Sequence, residues 1–148
     1  MRKFLCIALF LATTTASQAT NCNAPNSIIS YRTYMAGRFE YVVFTFKNPS
    51  TPDFTTTAAS PPFSDTSDRV IPVRGAKFTK IVFRGVNWMC SVQRLGTIPK
   101  PVIKDVKLVD QFEGQLEFVV GRTATSHYYS TKAMNVGPYT YVKIKFSC

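Results

Sequence analysis

Between Val106 and Lys145 the chain reads V-K-L-V-D-Q-F-E-G-Q-L-E-F-V-V-G-R, then a Tyr-rich segment, then G-P-Y-T-Y-V-K-I-K. No other part constrains the fold as much. Two short β-type runs flank a Phe112-Glu113-Gly114 corner, and a third alternating run follows the Gly137-Pro138 break, which is the pattern of paired strands and not of helices. The stretch assembles no nucleophile with a base and no metal cage, so it speaks for an architecture and not for a chemistry.

The rest of the chain extends that reading. No apolar stripe of helical period lasts the length of a normal helix, and there is no internal repeat or heptad. Ser27 to Thr33 reads as a first strand, broken at Gly37. Glu40 to Lys47 reads as a second, with Val42, Phe44 and Phe46 on one face and Tyr41, Val43, Thr45 and Lys47 on the other. From Asn48 to Asp68 the composition turns to Pro, Ser, Thr and Asp, which predicts a long ordered loop or a short edge strand between turns. Loops of that length usually serve binding or cover a sheet edge. Strand patterns resume at Arg69 to Val73 and at Lys77 to Arg84, where Ile81 and Phe83 point one way, Phe78 and Val82 the other. Trp88 reads as a core or core-rim anchor, with an exposed sugar platform as the alternative. Ile103 to Val109, Gly114 to Val120 and Tyr139 to Phe146 complete about eight strands. The expected fold is all-β: a single-domain, two-sheet antiparallel β-sandwich.

The first nineteen residues read as a secretory signal. Arg2 and Lys3 are its positive start, Phe4 to Ala12 an apolar run too short to span a bilayer, and Ser17-Gln18-Ala19 the small residues of a cleavage site. Cleavage is expected after Ala19, with Ala16 as the alternative, leaving residues 20–148 as one domain. The polar Thr13 to Thr20 stretch argues against a retained membrane anchor. Neither Cys6 nor Cys22 follows the triplet that lipoprotein processing requires. Export implies a secreted or periplasmic protein.

Loss of Arg2 and Lys3 lowers the formal net charge from +10 to +8. Outside a cytoplasm such a balance favours anionic glycans, wall polymers or lipid head groups over nucleic acid. It also fits a domain that positive charge simply keeps soluble. Export removes Cys6 and leaves Cys22, Cys90 and Cys148, an odd number that allows one disulfide in an oxidising compartment. Three pairings are open. Cys90 with Cys148 is favoured, since each lies just beyond a β-type run while Cys22 sits in a polar lead.

Catalytic chemistry finds little support. A cysteine nucleophile needs a base, and the sole histidine, His127, lies in Ser126-His127-Tyr128-Tyr129 without a nucleophile motif. Glu113 and Glu117, if on one strand, would stand about 13 Å apart, too far for a glycosidase pair. No His, Cys, Asp and Glu spacing suggests a metal site, and Asp65 and Asp68 read as solvated loop acids. No catalytic residue, metal or cofactor is expected. The positive signal is the last strand: Tyr139, Tyr141, Lys143 and Lys145 alternate with Thr140, Val142, Ile144 and Phe146. Tyrosines can stack on sugars and lysines can meet carboxylate or phosphate. The same pattern fits a solvated face whose lysines protect a sheet edge.

Several of these residues together resemble a known family. Glu40-Tyr41-Val42-Val43-Phe44-Thr45-Phe46, Val73-Arg74-Gly75-Ala76-Lys77-Phe78, Val106 with Phe112-Glu113-Gly114, Phe118 and Gly121, and then Pro138, Val142 and Ile144 resemble the AMIN-like domain of secreted bacterial proteins, from about Ser27 to Phe146. The resemblance implies a β-sandwich related to the AMIN domain, a non-enzymatic module of the cell envelope that targets partners to peptidoglycan. The family's Asp-Arg pair before its V-V-F-x-F strand is replaced by Glu40-Tyr41. Its acidic final strand is replaced by Lys143-Ile144-Lys145. The expected function is a secreted or periplasmic binding module for peptidoglycan, another anionic cell-wall polymer or an envelope partner protein, with no nucleic acid and no stable membrane span. The alternative is a small secreted effector or inhibitor that contacts a protein through the Pro-rich loop 48–68.

Overall fold

The alternation from Glu40 to Lys47 becomes a strand whose inward residues Val42, Phe44 and Phe46 are fully buried. In the computed structural model, which describes residues 24–47, 52–87 and 91–148, nine strands run in chain order. They are β1 (Ile28–Ala36), β2 (Phe39–Lys47), β3 (Asp53–Ala59), β4 (Lys77–Arg84), β5 (Gln93–Leu95), β6 (Ile103–Phe112), β7 (Gln115–Arg122), β8 (His127–Val136) and β9 (Tyr139–Ser147). No helix occurs among the described residues, so none there is long and apolar enough to cross a membrane.

The strands form two sheets, a five-stranded one in the order β5-β1-β2-β9-β8 and a four-stranded one in the order β3-β4-β7-β6. Every pairing is antiparallel except the short β1·β5 contact, which is parallel. Three hairpins come from local chemistry. At the Phe112-Glu113-Gly114 corner both central residues have positive φ, 45° and 79°, the two-residue connection that matches the right-handed twist of its strands. Gly37, at φ 59°, turns β1 into β2, and Gly137, at φ 56°, precedes Pro138 in the turn from β8 to β9.

The sheets pack face to face through aromatic side chains. Phe44 and Phe46 of β2 meet Phe83 of β4 with ring centroids 5.1 and 4.8 Å apart, and Phe44 meets Phe118 of β7 at 4.8 Å. Such pairs add about 0.5–1.5 kcal/mol each beyond the burial of their area. Two polar ties fix the stacking. Glu40, 1% exposed, accepts the backbone N–H groups of Val102 and Ile103 at 2.8 and 2.7 Å. Tyr31 Oη donates to the Val106 carbonyl at 3.4 Å; burial pushes its phenol pKa up, Arg94 pulls it back and Asp105 reinforces the rise. At one end Arg122 is enclosed among Thr79, Ser126 and the Phe146 ring, donating to Ser126 O at 2.7 Å and Oγ at 2.9 Å. Burial lowers its guanidinium pKa.

Four sequence readings are resolved or changed. For the Asn48 to Asp68 segment the edge-strand alternative holds: β3 is the edge of the four-stranded sheet, and Phe63 beyond it packs with Val109 and Val119 on that sheet's outer surface. Arg69 to Val73 forms no ladder. Ser64 and Val70 make an isolated bridge, and Ile71 and Val73 lie against the same cluster. The segment therefore covers a sheet face, and an apolar residue does not need a strand partner to be buried there. The third change is β8, unforeseen because most of its positions are exposed and show no apolar alternation. The fourth is β5, whose three residues are all exposed.

Two glycines permit a close crossing of the chain. The chain at Arg74 passes so close to β7 that a Cβ on Gly121 would lie 1.9 Å from the Arg74 carbonyl oxygen. Gly75, at φ 152°, faces the Gly121 and Arg122 backbone. Asp105 holds the crossing in place by accepting the Arg74 N–H at 3.1 Å and by its ion pair with the Arg74 side chain.

Candidate functional site

β9 lies between β2 and β8. It is therefore an interior strand, and its lysines do not guard a sheet edge. Its residues alternate half-buried and buried along the whole length, so Tyr139, Tyr141, Lys143 and Lys145 all stand on the outer face of the five-stranded sheet. Cross-strand register defines the neighbours. Lys145 lies opposite Tyr41 on β2 and Ser130 on β8; Lys143 lies opposite Val43 and Lys132; Tyr141 lies opposite Thr45 and Met134; Tyr139 lies opposite Lys47 and Val136.

The structure separates these four residues into two groups. Lys143 and Lys145 line a groove of about 370 Å³ together with Tyr41, Tyr129, Lys132 and Met134. Tyr139 and Tyr141 lie further along the face, their rings 6.4 Å apart. Tyr41 stacks nearly parallel on Tyr34 of β1, with centroids 4.9 Å apart and planes 8° from parallel. Lys145 is held on this face by two rings: its Nζ lies 3.6 Å from the centroid of Phe39 and 4.2 Å from that of Tyr129. Those rings meet edge to face at 5.5 Å. Lys132 and Lys143 face one another in register, an arrangement of like charges that disfavours the sheet unless an anion sits between them.

The charge distribution is one-sided. Of the eight carboxylates in the sequence, seven lie on the four-stranded sheet or its connections: Asp53, Asp65, Asp68, Asp105, Asp110, Glu113 and Glu117. The eighth, Glu40, is in β2 but buried between the sheets. The strands of the five-stranded sheet carry Arg32, Lys47, Arg94, Lys132, Lys143 and Lys145. The ion pairs Arg69–Asp65, Arg74–Asp105, Lys80–Glu117 and Arg84–Asp53 all belong to the other side of the molecule.

Residues 28–140 match the model of the AMIN-like domain. This chain belongs to the AMIN-like domain family. No curated protein matches it. The match ends within β9, before Tyr141, Lys143 and Lys145, so the two β9 lysines of the groove lie beyond it while Tyr41, Tyr129, Lys132 and Met134 lie inside it. Within the matched range, Glu40 is a buried tie between the sheets and is not part of a surface site.

Sequence reasoning missed Lys132, Tyr129 and Met134, because β8 itself was not recognised, and Tyr41 and Phe39, whose relation to β9 depends on register. Glu113 sits in the hairpin turn and Glu117 on β7, where Lys80 pairs with it at 3.5 Å. Among the described residues no three His, Cys, Asp or Glu side chains come together as metal ligands would. Cys148 is free and exposed after β9. Trp88, Cys22, Cys90 and the expected signal segment 1–19 lie outside the described residues.

Proposed function

We propose that this AMIN-like domain is a non-enzymatic binding module of an exported, envelope-associated protein, and that the outer face of its five-stranded sheet takes an anionic cell-wall glycan such as peptidoglycan. The observation that carries the reading is the groove: Lys132, Lys143 and Lys145 gather beside Tyr41 and Tyr129 on a sheet whose one carboxylate is buried. Aromatic rings offer stacking surface to sugar faces, and ammonium groups meet carboxylate or phosphate as point charges. Tyr139 and Tyr141 extend the same face and would lengthen the contact along a polymer. Family membership supports the envelope as the place of action. The Pro-rich segment favours this reading over an effector acting through loop 48–68, because Phe63 is directed into the protein's own sheet. In an oxidising compartment the expected Cys90–Cys148 bridge would tie the chain end after β9; peptide mapping by mass spectrometry before and after reduction tests which cysteines pair.

Sedimentation of the mature protein with purified peptidoglycan, at low and high salt, tests the main reading. Co-sedimentation that weakens with salt is expected, since exposed charges beyond about 10 Å are screened at 0.1 M. A folded Tyr141→Ala, Lys143→Ala, Lys145→Ala variant that sediments as well as the parent rejects it.

A further inference from the structure

The exposed apolar surface of the domain is concentrated on one edge. Among the described residues eight large apolar side chains stand exposed, and four are on β8: Tyr128, Tyr129, Met134 and Val136, at 43, 62, 47 and 54%. Among the described residues β8 pairs with β9 alone and ends the five-stranded sheet. It is ten residues long and has no proline. Natural edge strands are usually short, charged or interrupted, to prevent another chain from adding to them. β8 carries one charged side chain, Lys132, and its irregularity is confined to the Tyr128/Ser130 bulge near its start. From Ser130 to Val136 its register with β9 is unbroken.

We propose that the free edge of β8 accepts an extended segment of a partner protein as a further strand of the five-stranded sheet, and that this segment is acidic at its centre and apolar on either side. The sequence of the partner follows from the period of two. On the outer face β8 presents Ser130, Lys132, Met134 and Val136 in succession, so a pairing strand places alternate side chains opposite them. An acidic residue opposite Lys132 also approaches Lys143, which has only another lysine across from it in β8. Apolar residues two positions away meet Met134 and flank the Tyr129 ring. Charge complementarity selects this occupant over a second copy of the chain, because pairing β8 with itself brings two copies of Lys132 to one edge beside two copies of Lys143. Main-chain hydrogen bonds supply affinity in such a complex, and the alternate side chains supply selectivity. The edge adjoins the groove and shares Tyr129, Lys132 and Met134 with it, but the main-chain contacts of an added strand are made at the edge of β8 alone, so the proposal holds with or without glycan binding.

The test uses a fluorescein-labelled peptide, Thr-Val-Thr-Glu-Thr-Val-Thr, titrated by anisotropy against the full mature domain with no wall material present. Binding is expected, and replacing the central Glu by Lys should weaken it about fivefold or more, as a cross-strand attraction becomes a repulsion. The Lys132→Glu variant should reverse that preference. N-methylation of alternate peptide residues should abolish binding in one parity and leave it intact in the other, because only alternate N–H groups face β8. Three outcomes overturn the proposal: no binding of the acidic peptide, equal binding of both N-methylated series, or a dimer of the unliganded domain in sedimentation velocity that Met134→Lys dissociates.

Discussion

Glu40 Oε2 accepts the backbone N–H of Ile103 at 2.7 Å, joining β2 to the first residue of β6 across the sandwich. The other carboxylate oxygen takes the Val102 N–H, so one buried side chain satisfies two main-chain donors that face no water. Glu40→Ala should leave both unpaired and cost about 3 kcal/mol, lowering Tm by roughly 10 °C for a domain of this size. Glu40→Gln keeps one acceptor oxygen and should fall between the two. Thermal melts by circular dichroism decide; an alanine variant within a degree or two of the parent would show that the carboxylate does not hold the sheets.

Gly121 and Arg74 meet without room for a side chain. Gly121→Ala should displace the segment that crosses β7, since the added Cβ would lie 1.9 Å from the Arg74 carbonyl oxygen. A loss of about 3 kcal/mol or more is expected, in the range of strain at an overpacked site. Hydrogen exchange should show the Arg74 and Ala76 amides losing protection first, as they donate to Asp105 and to the Arg122 carbonyl.

Lys143 and Lys145 should respond oppositely to removal. Lys145 sits between the Phe39 and Tyr129 rings, so Lys145→Ala should destabilise the domain by about 1 kcal/mol. Lys143 faces Lys132, and Lys143→Ala should be neutral or stabilising by a few tenths of a kcal/mol. Urea midpoints at low and high salt test this, with the Lys143 effect vanishing as screening rises.

Asp65 organises its loop electrostatically. Loss of hydration pushes its carboxyl pKa up, but N–H groups from Arg69 and Ser67 and the Arg69 guanidinium outweigh it and hold it below the usual range. A carboxylate whose folded pKa is depressed stabilises the fold above its unfolded pKa, about 3.9, and that contribution disappears as pH falls through the folded value. The Asp65–Arg69 loop should therefore open in acid before the core does. NMR titration of the Asp65 side chain with the Ser67 and Arg69 amides checks it; midpoints at or above the unfolded value would refute it.

Strands whose buried face alternates with a less buried one were legible from that alternation, as in β2, β4, β6 and β9, and β7 was legible as a β-type run although both of its faces are largely buried. The AMIN-like resemblance was legible too, and the structure explains one of its residues by packing: Gly121 lies under Arg74. β8 was not legible. A strand at a sheet's edge with most of its side chains in water carries no period of burial, and its role depends on what lies beside it.

The sequence by itself determined the two-sheet class, the hairpin corners at Gly37, Glu113-Gly114 and Gly137-Pro138, and the phenol and ammonium row from Tyr139 to Lys145, because each follows from backbone preference or from the two-residue period of one strand. Only the tertiary structure decided that β9 is interior, that Lys132 faces Lys143, that Phe39 and Tyr129 enclose Lys145, and that Glu40 is buried. Those relationships join residues as far apart in the chain as Phe39 and Lys145, and their distances are set by strand order and register, which no local pattern encodes.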